Sequence, residues 1–453
     1  MSIIDIVEEI NLFLSFYYEK EAPIILAYSG GSDSKALFYA LLKLKKNFLI
    51  NLHLVYIDHG IRKESEEETL LIKKEAQEQQ IPLFFKKINL SKSLSNQEAI
   101  AREQRLEFFK TIYVKINAKA ILFAHHSNDL SETVFKRILE SSNFSNLYGM
   151  KKISMLNDMV VWRPLLNISK KNIFQWLDKQ KINSFFIDKT NFDKSNLRSK
   201  LRVDIFPHIV KSFGKNIEQN LIKLSKNSFE LKEYLDKKTD HIFQTLKRGN
   251  LGLLLDFSKF KNIEDIERKY ILNKLFKEVK LSVCQTNLEL INLFIKKGNS
   301  NKKIIFKYID IYIDRHYIFL LNKKMPFFKF REKIKVGDKD LGPYTIKVKI
   351  LEKKPETFPI NNWRSLYLHT QASIIIPASN DYFLDIPNGF FYYRQKRLRK
   401  WWLESKTPCF LRYSMPVITN NGKIIKEFLL EDCPRLDACG HWFCITIIIK
   451  ELS

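Results

Sequence analysis

The hexapeptide Ser29-Gly30-Gly31-Ser32-Asp33-Ser34 lies between an apolar run at residues 24–28 and a second apolar stretch at residues 36–44, and nothing else in the chain restricts its fold as much. A short strand that runs through a glycine-rich turn into a buried helix is a β-loop-α unit. Two adjacent glycines let the backbone approach an anion closely and turn its amide hydrogens toward one centre. Hydroxyls flank that centre, and a helix N-terminus stands behind it. Phosphate is the natural guest. The loop is not of the Walker A kind, because Lys35 follows Ser34 where that motif ends Gly-Lys-Ser or Gly-Lys-Thr. The competing reading is a Gly-Ser turn capped by Asp33.

The unit repeats. Residues 52–57 form a second apolar run, followed by Asp58-His59-Gly60 and an acid-rich stretch, 64–80, that reads as an exposed helix. Residues 83–88 give a third strand. Phe109, Ile112, Tyr113 and Ile116 recur at helical spacing, and residues 120–124 give a fourth strand that ends at His125-His126. Strands alternating with helices predict an α/β fold built on a doubly wound parallel sheet. Ligands of such sheets bind beyond the carboxyl ends of the strands, which is where residues 29–34, 58–59 and 125–132 fall.

After Arg163-Pro164-Leu165 the rhythm is lost. Residues 169–245 read as mainly helical, broken at 188–196 and at Pro207, and residues 250–330 mix a helical start with β-rich runs. Strand candidates at 345–350, 373–376 and 445–449, with Pro and Gly between them, predict a small C-terminal α+β domain. The expected domains are 1–210, a mainly helical 211–330, and 331–453.

With 453 residues, 45% of them hydrophobic, the chain can bury several cores, which excludes disorder as its main state. No apolar run approaches the roughly 18 residues that cross a bilayer, and the first residues carry acids where a signal peptide carries bases, so the expectation is a soluble, cytoplasmic protein. Five cysteines, the first at Cys284, are too few and too C-terminal for a disulfide scaffold and fit a reducing compartment. The formal charge is +26, yet residues 1–150 hold 19 basic and 19 acidic side chains, so the whole excess lies after residue 150. A neutral part for small-molecule chemistry joined to a basic part that grips a polyanion fits this asymmetry. A lysine- and asparagine-rich genome bias fits it equally well.

The hexapeptide matches the S-G-G-x-D-S loop of the ATP pyrophosphatases, the PP-loop proteins of Rossmann-like fold. Further segments resemble the tRNA(Ile)-lysidine synthases: Asp58-His59-Gly60-Ile61-Arg62, the run from Asn96 to Arg105, and Ala124-His125-His126-Ser127-Asn128-Asp129-Leu130-Ser131-Glu132-Thr133. Arg163-Pro164-Leu165-Leu166, Asp188-Lys189-Thr190-Asn191, Asn196-Leu197-Arg198 and Arg397-Leu398-Arg399-Lys400-Trp401-Trp402 follow in the family's order. The resemblance is dense over 24–210, patchy to 330, and returns at 390–430. It implies an enzyme that uses ATP to adenylate the position-2 carbonyl of the wobble cytidine in an isoleucine tRNA with a CAU anticodon. The amine of free L-lysine then displaces AMP. Adenylation makes sense because the cytosine carbonyl oxygen is a poor leaving group and a phosphate ester a good one. The target base must also be splayed out, which an anticodon loop permits.

On this resemblance Ser29, Gly30, Gly31, Ser32, Asp33 and Ser34 bind ATP, Asp33 also holds magnesium (Mg2+), and the backbone around Tyr56 meets adenine. His125 and Asp129 join Asp33 and Arg102 as catalytic candidates, and Asp129 and Glu132 as lysine-binding ones, because carboxylates beside imidazoles can hold an ammonium and take its proton. A metal site and ordinary helix capping are the alternatives there. Arg102 and Arg198 match family arginines that neutralise the adenylate or contact tRNA; surface ion pairing is their alternative. Arg394, Lys396, Arg397, Arg399 and Lys400, flanked by Tyr392, Tyr393, Trp401 and Trp402, suit phosphates and base stacking, with half of the aromatics expected in the core. Cys433, Cys439, Cys444 and His441 lack a C-x-x-C pair and read as free thiols rather than a zinc site.

Two departures from the family pattern bear on lysine and nucleotide placement. Ser127-Asn128-Asp129-Leu130 stands where relatives read Ala-Asp-Asp-Gln, and residues 141–145 replace an Arg-Gly-Ser-Gly turn. The rivals are a catalytically diverged tRNA-binding protein and a PP-loop tRNA thiolase. The absence of any cysteine before Cys284 counts against sulfur transfer. A nucleotide-binding regulator without RNA leaves the basic excess unexplained. The sequence leaves the oligomeric state open.

Overall fold

Helix α1 (Ile6–Tyr17) leads into β1 (Pro23–Ala27), which is apolar throughout because the sheet buries it on both faces. There follow α2 (Ser32–Phe48), β2 (Asn51–Asp58), α3 (Ser65–Glu78), β3 (Leu83–Lys87), α4 (Gln97–Lys115), β4 (Ala120–Leu122) and α5 (Ser127–Leu139). A hairpin of β5 (Ile153–Leu156) and β6 (Met159–Trp162) then precedes α6 (Lys170–Lys179). This computed structural model describes every residue except 1–4, 59–64, 89–96, 141, 187–196, 250, 259–262, 322–328, 354, 357–358, 360–361, 380, 388–390, 394–395, 413, 430–439 and 451–453. It divides into two compact units, residues 1–234 and 235–453.

The sheet of the first unit has the order β3-β2-β1-β4-β6-β5, parallel except for the edge strand β5. Strand alternation sorts its side chains into two layers. Ile24, Leu26, Leu52, Leu54, Tyr56, Ala120 and Leu122 pack with α1, α2, α3 and α6 on one side. Ile25, Val55, Ile57, Ile121 and Val161 pack with Phe109 and Ile112 of α4 on the other. Each such aliphatic burial stabilises by about 1.5–3 kcal/mol. The expected doubly wound α/β sheet is therefore present. From β1 the chain crosses outward to β2 and β3, and it then returns to β4 on β1's other flank. The order thus reverses between β1 and β4, and the loops that leave these two strands open a crevice at their carboxyl ends.

Two local expectations are corrected. The acid-rich α3 is amphipathic rather than fully exposed: Thr69, Ile72 and Ala76 are buried, Glu75 turns inward to Lys35, and the other acids occupy the remaining faces. Pro207 does not break the helical region. Helix α7 (Leu197–Lys200) passes through a π turn (Leu201–Ile205) into α8 (Phe206–Phe213) without interruption. The wide turn before Pro207 accommodates its missing N–H, and the proline sits in the first turn of α8, where that donor is not needed. The other expected break, 188–196, lies outside the described residues. Helix α9 (Ile217–Phe243) follows.

The second unit begins with a five-stranded antiparallel sheet of order β7-β8-β11-β10-β9, made of β7 (Lys247–Gly249), β8 (Gly252–Asp256), β9 (Lys302–Ile305), β10 (Asp310–Asp314) and β11 (Tyr317–Leu321). Its apolar side packs on α10 (Asp265–Glu278) and α11 (Gln285–Lys296). Residues 211–330, expected to be mainly helical, thus carry a sheet as well. Runs such as 253–255 and 318–321 are continuously apolar, so they carry neither helical nor strand period. The remainder comprises β12 (Arg331–Lys333), β13 (Gly337–Leu341), β14 (Tyr344–Leu351), α12 (Trp363–His369), β15 (Gln371–Pro377), β16 (Tyr382–Asp385), β17 (Tyr392–Tyr393), β18 (Lys396–Arg397), α13 (Leu398–Glu404), α14 (Cys409–Arg412), β19 (Val417–Asn420), β20 (Lys423–Glu427) and β21 (Trp442–Ile449). Two four-stranded sheets, β12-β16-β19-β20 and β13-β14-β21-β15, share one core with α12 to α14, the α+β architecture expected. Alternate residues of β21, from Phe443 to Ile449, point into it. Among the described residues no helix is long and apolar enough to cross a membrane.

Candidate active site

The hexapeptide closes the crevice at the end of β1. Gly30 has φ +72°, and a Cβ there would lie 2.4 Å from the Phe186 ring, so the position requires glycine both for its backbone and for space. The Phe186 N–H donates to the Gly30 carbonyl at 3.0 Å, which straps the segment after α6 across the loop. The Ser34 hydroxyl donates to the Gly31 carbonyl at 3.0 Å and lies 3.1 Å from the Ser29 hydroxyl. Behind the loop, buried Lys35 pairs with Glu75 at 3.2 Å. Glu75 also accepts from the hydroxyls of Tyr28 at 2.6 Å and Tyr39 at 2.9 Å. Burial, then Glu75, pushes both phenols up, Tyr39 to about 12, so they stay donors that fix this carboxylate. Gly30→Ala is expected to weaken ATP binding at least about tenfold, since strain of ~1–3 kcal/mol at the loop sets that scale. Calorimetric titration of ATP checks this, and Phe186→Ala in the same chain should recover part of the loss.

Asp33 stands in the first turn of α2. Its Oδ1 accepts from Lys170 Nζ at 2.6 Å, and Lys170 also reaches the Ser32 hydroxyl at 2.8 Å. Lys170 is the first residue of α6, where a cation opposes the helix dipole, so its carboxylate partner holds it there at some electrostatic cost. Tyr56 sits near the end of β2, its side chain buried and stacked on Phe85 with centroids 5.9 Å apart. Pairing of β2 with β1 ends at Val55–Ala27, so the backbone of Tyr56 runs on past β1 beside the loop.

The other wall is the start of α5. His126 Nε2 lies between two carboxylates, 3.8 Å from Asp33 and 3.5 Å from Asp129, and so spans the gap between the loop and this helix. Asp129 accepts from the His126 backbone N–H at 3.0 Å and pairs with Arg202 of the π turn at 2.6 Å. Arg202 also pairs with Glu132, whose side chain is almost wholly buried. Burial opposes the charge on Asp129, but His126, its backbone amide, His125 and Arg202 outweigh it and hold the carboxyl below its ordinary value. For Glu132 burial wins over Arg202, and its pKa is raised. Two neighbouring carboxyls pushed in opposite directions are the signature of divided acid-base labour. His125 Nδ1 accepts from Arg163 Nε at 3.3 Å, so the neutral ring carries its proton on Nε2.

Burial lowers both imidazoles, His125 to about 4. A histidine whose folded pKa lies below the unfolded 6.5 contributes stability above pH 6.5 and loses it as pH falls toward 4. The urea midpoint of the first unit's transition is therefore expected to drop between pH 7 and pH 5, and His125→Gln should flatten that dependence.

Arg198 lies exposed on α7. With Glu132, Lys136 and Arg137 it lines a cleft of about 170 Å³ beside the carboxylates, and its charge acts on His125 and Glu132. Arg102 is exposed on α4. Lys170, Arg202, Phe186 and Glu75 were not singled out from the sequence; the one available signal was a lysine at the first position of a helix. Among the described residues no group of three or more His, Cys, Asp or Glu could hold a metal ion. A single carboxylate such as that of Asp33 is compatible with magnesium, which takes one or two carboxylates and completes its shell with water and substrate phosphates.

The PP-loop domain model matches residues 5–209. A tRNA(Ile)-lysidine synthase of Protochlamydia amoebophila is 30% identical over 438 residues, which cover 94% of this chain and 93% of the relative. The chain belongs to the tRNA(Ile)-lysidine synthase family. The synthase of Chlamydia pneumoniae is 31% identical over 68% of this chain and 97% of its own length, and that of Chlamydia caviae is 36% identical over 50% and 70%.

Within that family the two departures have local compensations. Asn128 accepts from the Lys170 N–H at 2.9 Å and donates to Glu218 at 2.6 Å, a double role that an aspartate facing Glu218 would not fill. In the segment after α5, Ser228 and Ser225 of α9 donate to the carbonyls of Phe144 and Tyr148, which clamps the altered turn. In the second unit Tyr393 and Trp402 are core residues, whereas Tyr392 is exposed and Trp401 half-buried. Lys396 pairs with Glu404 and lies over the Trp401 ring, Arg397 donates to the Tyr392 hydroxyl, and Arg399 and Lys400 are exposed. Arg394 lies outside the described residues, as do Cys433 and Cys439; Cys444 is a free thiol.

Proposed function

We propose that this chain ligates free L-lysine to position 2 of the wobble cytidine of CAU-anticodon tRNA(Ile), with ATP cleaved to AMP and pyrophosphate. The observation that carries this reading is the crevice in which one buried histidine, His126, lies between Asp33 of the phosphate-type loop and Asp129, which Arg202 links to Glu132.

ATP binds with its phosphates on the amides and hydroxyls of residues 29–34 and its adenine against the backbone at Tyr56. Lys170, beside Asp33, neutralises charge as the cytidine oxygen bonds to the α-phosphorus and the bond to pyrophosphate breaks. Asp33 would hold magnesium, which would supply charge neutralisation at the pyrophosphate. In the second half the lysine ammonium rests on Asp129, whose low pKa keeps it a counter-ion, while Glu132 is the better proton acceptor. The freed amine attacks C2, and the carbon–oxygen bond to AMP breaks. His125 offers its Nε2–H to developing charge, and Arg102 and Arg198 contact the adenylate or the tRNA. Residues 1–210 carry the adenylation chemistry, 211–330 add tRNA contact, and 331–453 bind tRNA through Arg394, Lys396, Arg397, Arg399 and Lys400. The cytoplasm, where tRNA, ATP and lysine coexist, is its place of action.

The test is incorporation of labelled lysine into a CAU-anticodon tRNA(Ile) transcript with ATP and magnesium. Transfer that requires ATP supports the reading. Tight tRNA binding with neither AMP nor lysine transfer would favour a catalytically diverged binder instead.

A further inference from the structure

We infer that the helix from Leu197 to Phe213 is the surface along which the single-stranded RNA loop lies as its target base enters the crevice, with Phe213 a stacking platform for a neighbouring base. The inference rests on the RNA-modifying reading above and deepens it. The helix is anchored in the site, because Arg202 pairs with both Asp129 and Glu132. From there it runs away from the chemistry at ~1.5 Å per residue, which sets Phe213 about 16 Å from Arg202, within reach of a few nucleotides of an RNA loop.

The exposed surface of this helix carries an apolar stripe. Phe206, Val210 and Phe213 follow one another at four and three residues and so form one stripe. Phe206 is buried in the core with Leu130, Val134 and Leu221, yet the stripe runs on past that core. Val210 is 45% exposed and Phe213 70% exposed. An aromatic ring left in water at the end of an apolar stripe is a surface awaiting a flat partner. Its surroundings define the partner: beside Arg202, which is committed to Asp129 and Glu132, residues 197–215 hold the exposed bases Arg198, Lys200, Lys211 and Lys215 against the single acid Asp204. Basic side chains interleaved with an exposed ring suit a backbone of phosphates with unstacked bases, and the stripe's continuity with the site selects the loop that carries the substrate base.

The experiment measures binding of an anticodon-arm hairpin with a CAU loop, and of a blunt RNA duplex of equal length, to the full chain, with lysine transfer to the tRNA(Ile) transcript read in parallel. Phe213→Ala is expected to weaken hairpin binding about tenfold, the scale of one lost base–aromatic stack, and to leave duplex binding and the KM for ATP unchanged. Phe213→Trp should restore hairpin affinity. Unchanged hairpin affinity in Phe213→Ala overturns the inference, as does a loss shared by the duplex or one that Trp does not recover. If wild type transfers no lysine while Phe213→Ala still weakens the hairpin selectively, the lysidine reading falls and the RNA surface stands. If wild type binds neither RNA, both fall.

Discussion

Asp33→Asn is expected to lower AMP formation by about 10²- to 10³-fold while leaving the fold intact, the scale seen when one group that meets transition-state charge is removed. A carboxylate in the first turn of α2, beside an amide-rich loop, is repulsive toward phosphate unless cations stand between them. Lys170 is one such cation, at 2.6 Å from Asp33, and magnesium on the pyrophosphate is the second in the proposed function. Asparagine keeps the shape and an oxygen for Lys170 but removes the charge. A rate loss with an unchanged melting temperature therefore assigns Asp33 to the chemistry. If Asp33→Ala destabilises and Asp33→Asn works normally, Asp33 is a helix cap and nothing more. Steady-state release of AMP and pyrophosphate, with thermal melting alongside, separates the two.

Arg202→Met should be the most destabilising single change in the crevice. It strands Glu132, which is buried, and removes the closest cation from Asp129. Breaking a fully buried pair costs ~3–5 kcal/mol, and because the Arg202 side chain is 36% exposed the expected loss is nearer 2 kcal/mol. Adding Glu132→Gln should return most of the stability, since no buried charge is then left unpaired. It should not return lysine affinity. The KM for lysine is expected to rise in the single and double variants alike, while the KM for ATP stays near wild type. Recovery of both quantities in the double variant would mean that the pair only holds α5 against the π turn.

The path from sequence to site ran through local features. The glycine pair at Gly30-Gly31, the apolar runs that became β1, β2 and β4, and the strand ends at Asp58 and His125 all declare themselves within a few residues. Because an α/β sheet sets ligands at strand ends, recognising the rhythm also located the crevice. What stayed hidden was the long-range pairing. Lys170 meets Asp33 across 137 positions, and Arg202 meets Asp129 across 73. No periodicity encodes such partners; packing of α6 and of the π turn against the sheet does. Phe186 gave no signal, since one aromatic after a helix reads as core. Pro207 misled because its usual effect is absorbed by the wide turn before it. The exposed reading of α3 failed because charge count concealed the buried stripe Thr69, Ile72 and Ala76.

The central claim is that one crevice first adenylates the tRNA and then passes it to lysine. Incubating the full chain with ATP labelled at the α-phosphate and a CAU-anticodon tRNA(Ile) transcript, without lysine, tests this most directly. The account predicts label on the tRNA, released as AMP when lysine is added, with one lysine bound per AMP freed. Label that never reaches the tRNA, or label that appears first on lysine as a lysyl-adenylate once lysine is added, would contradict it.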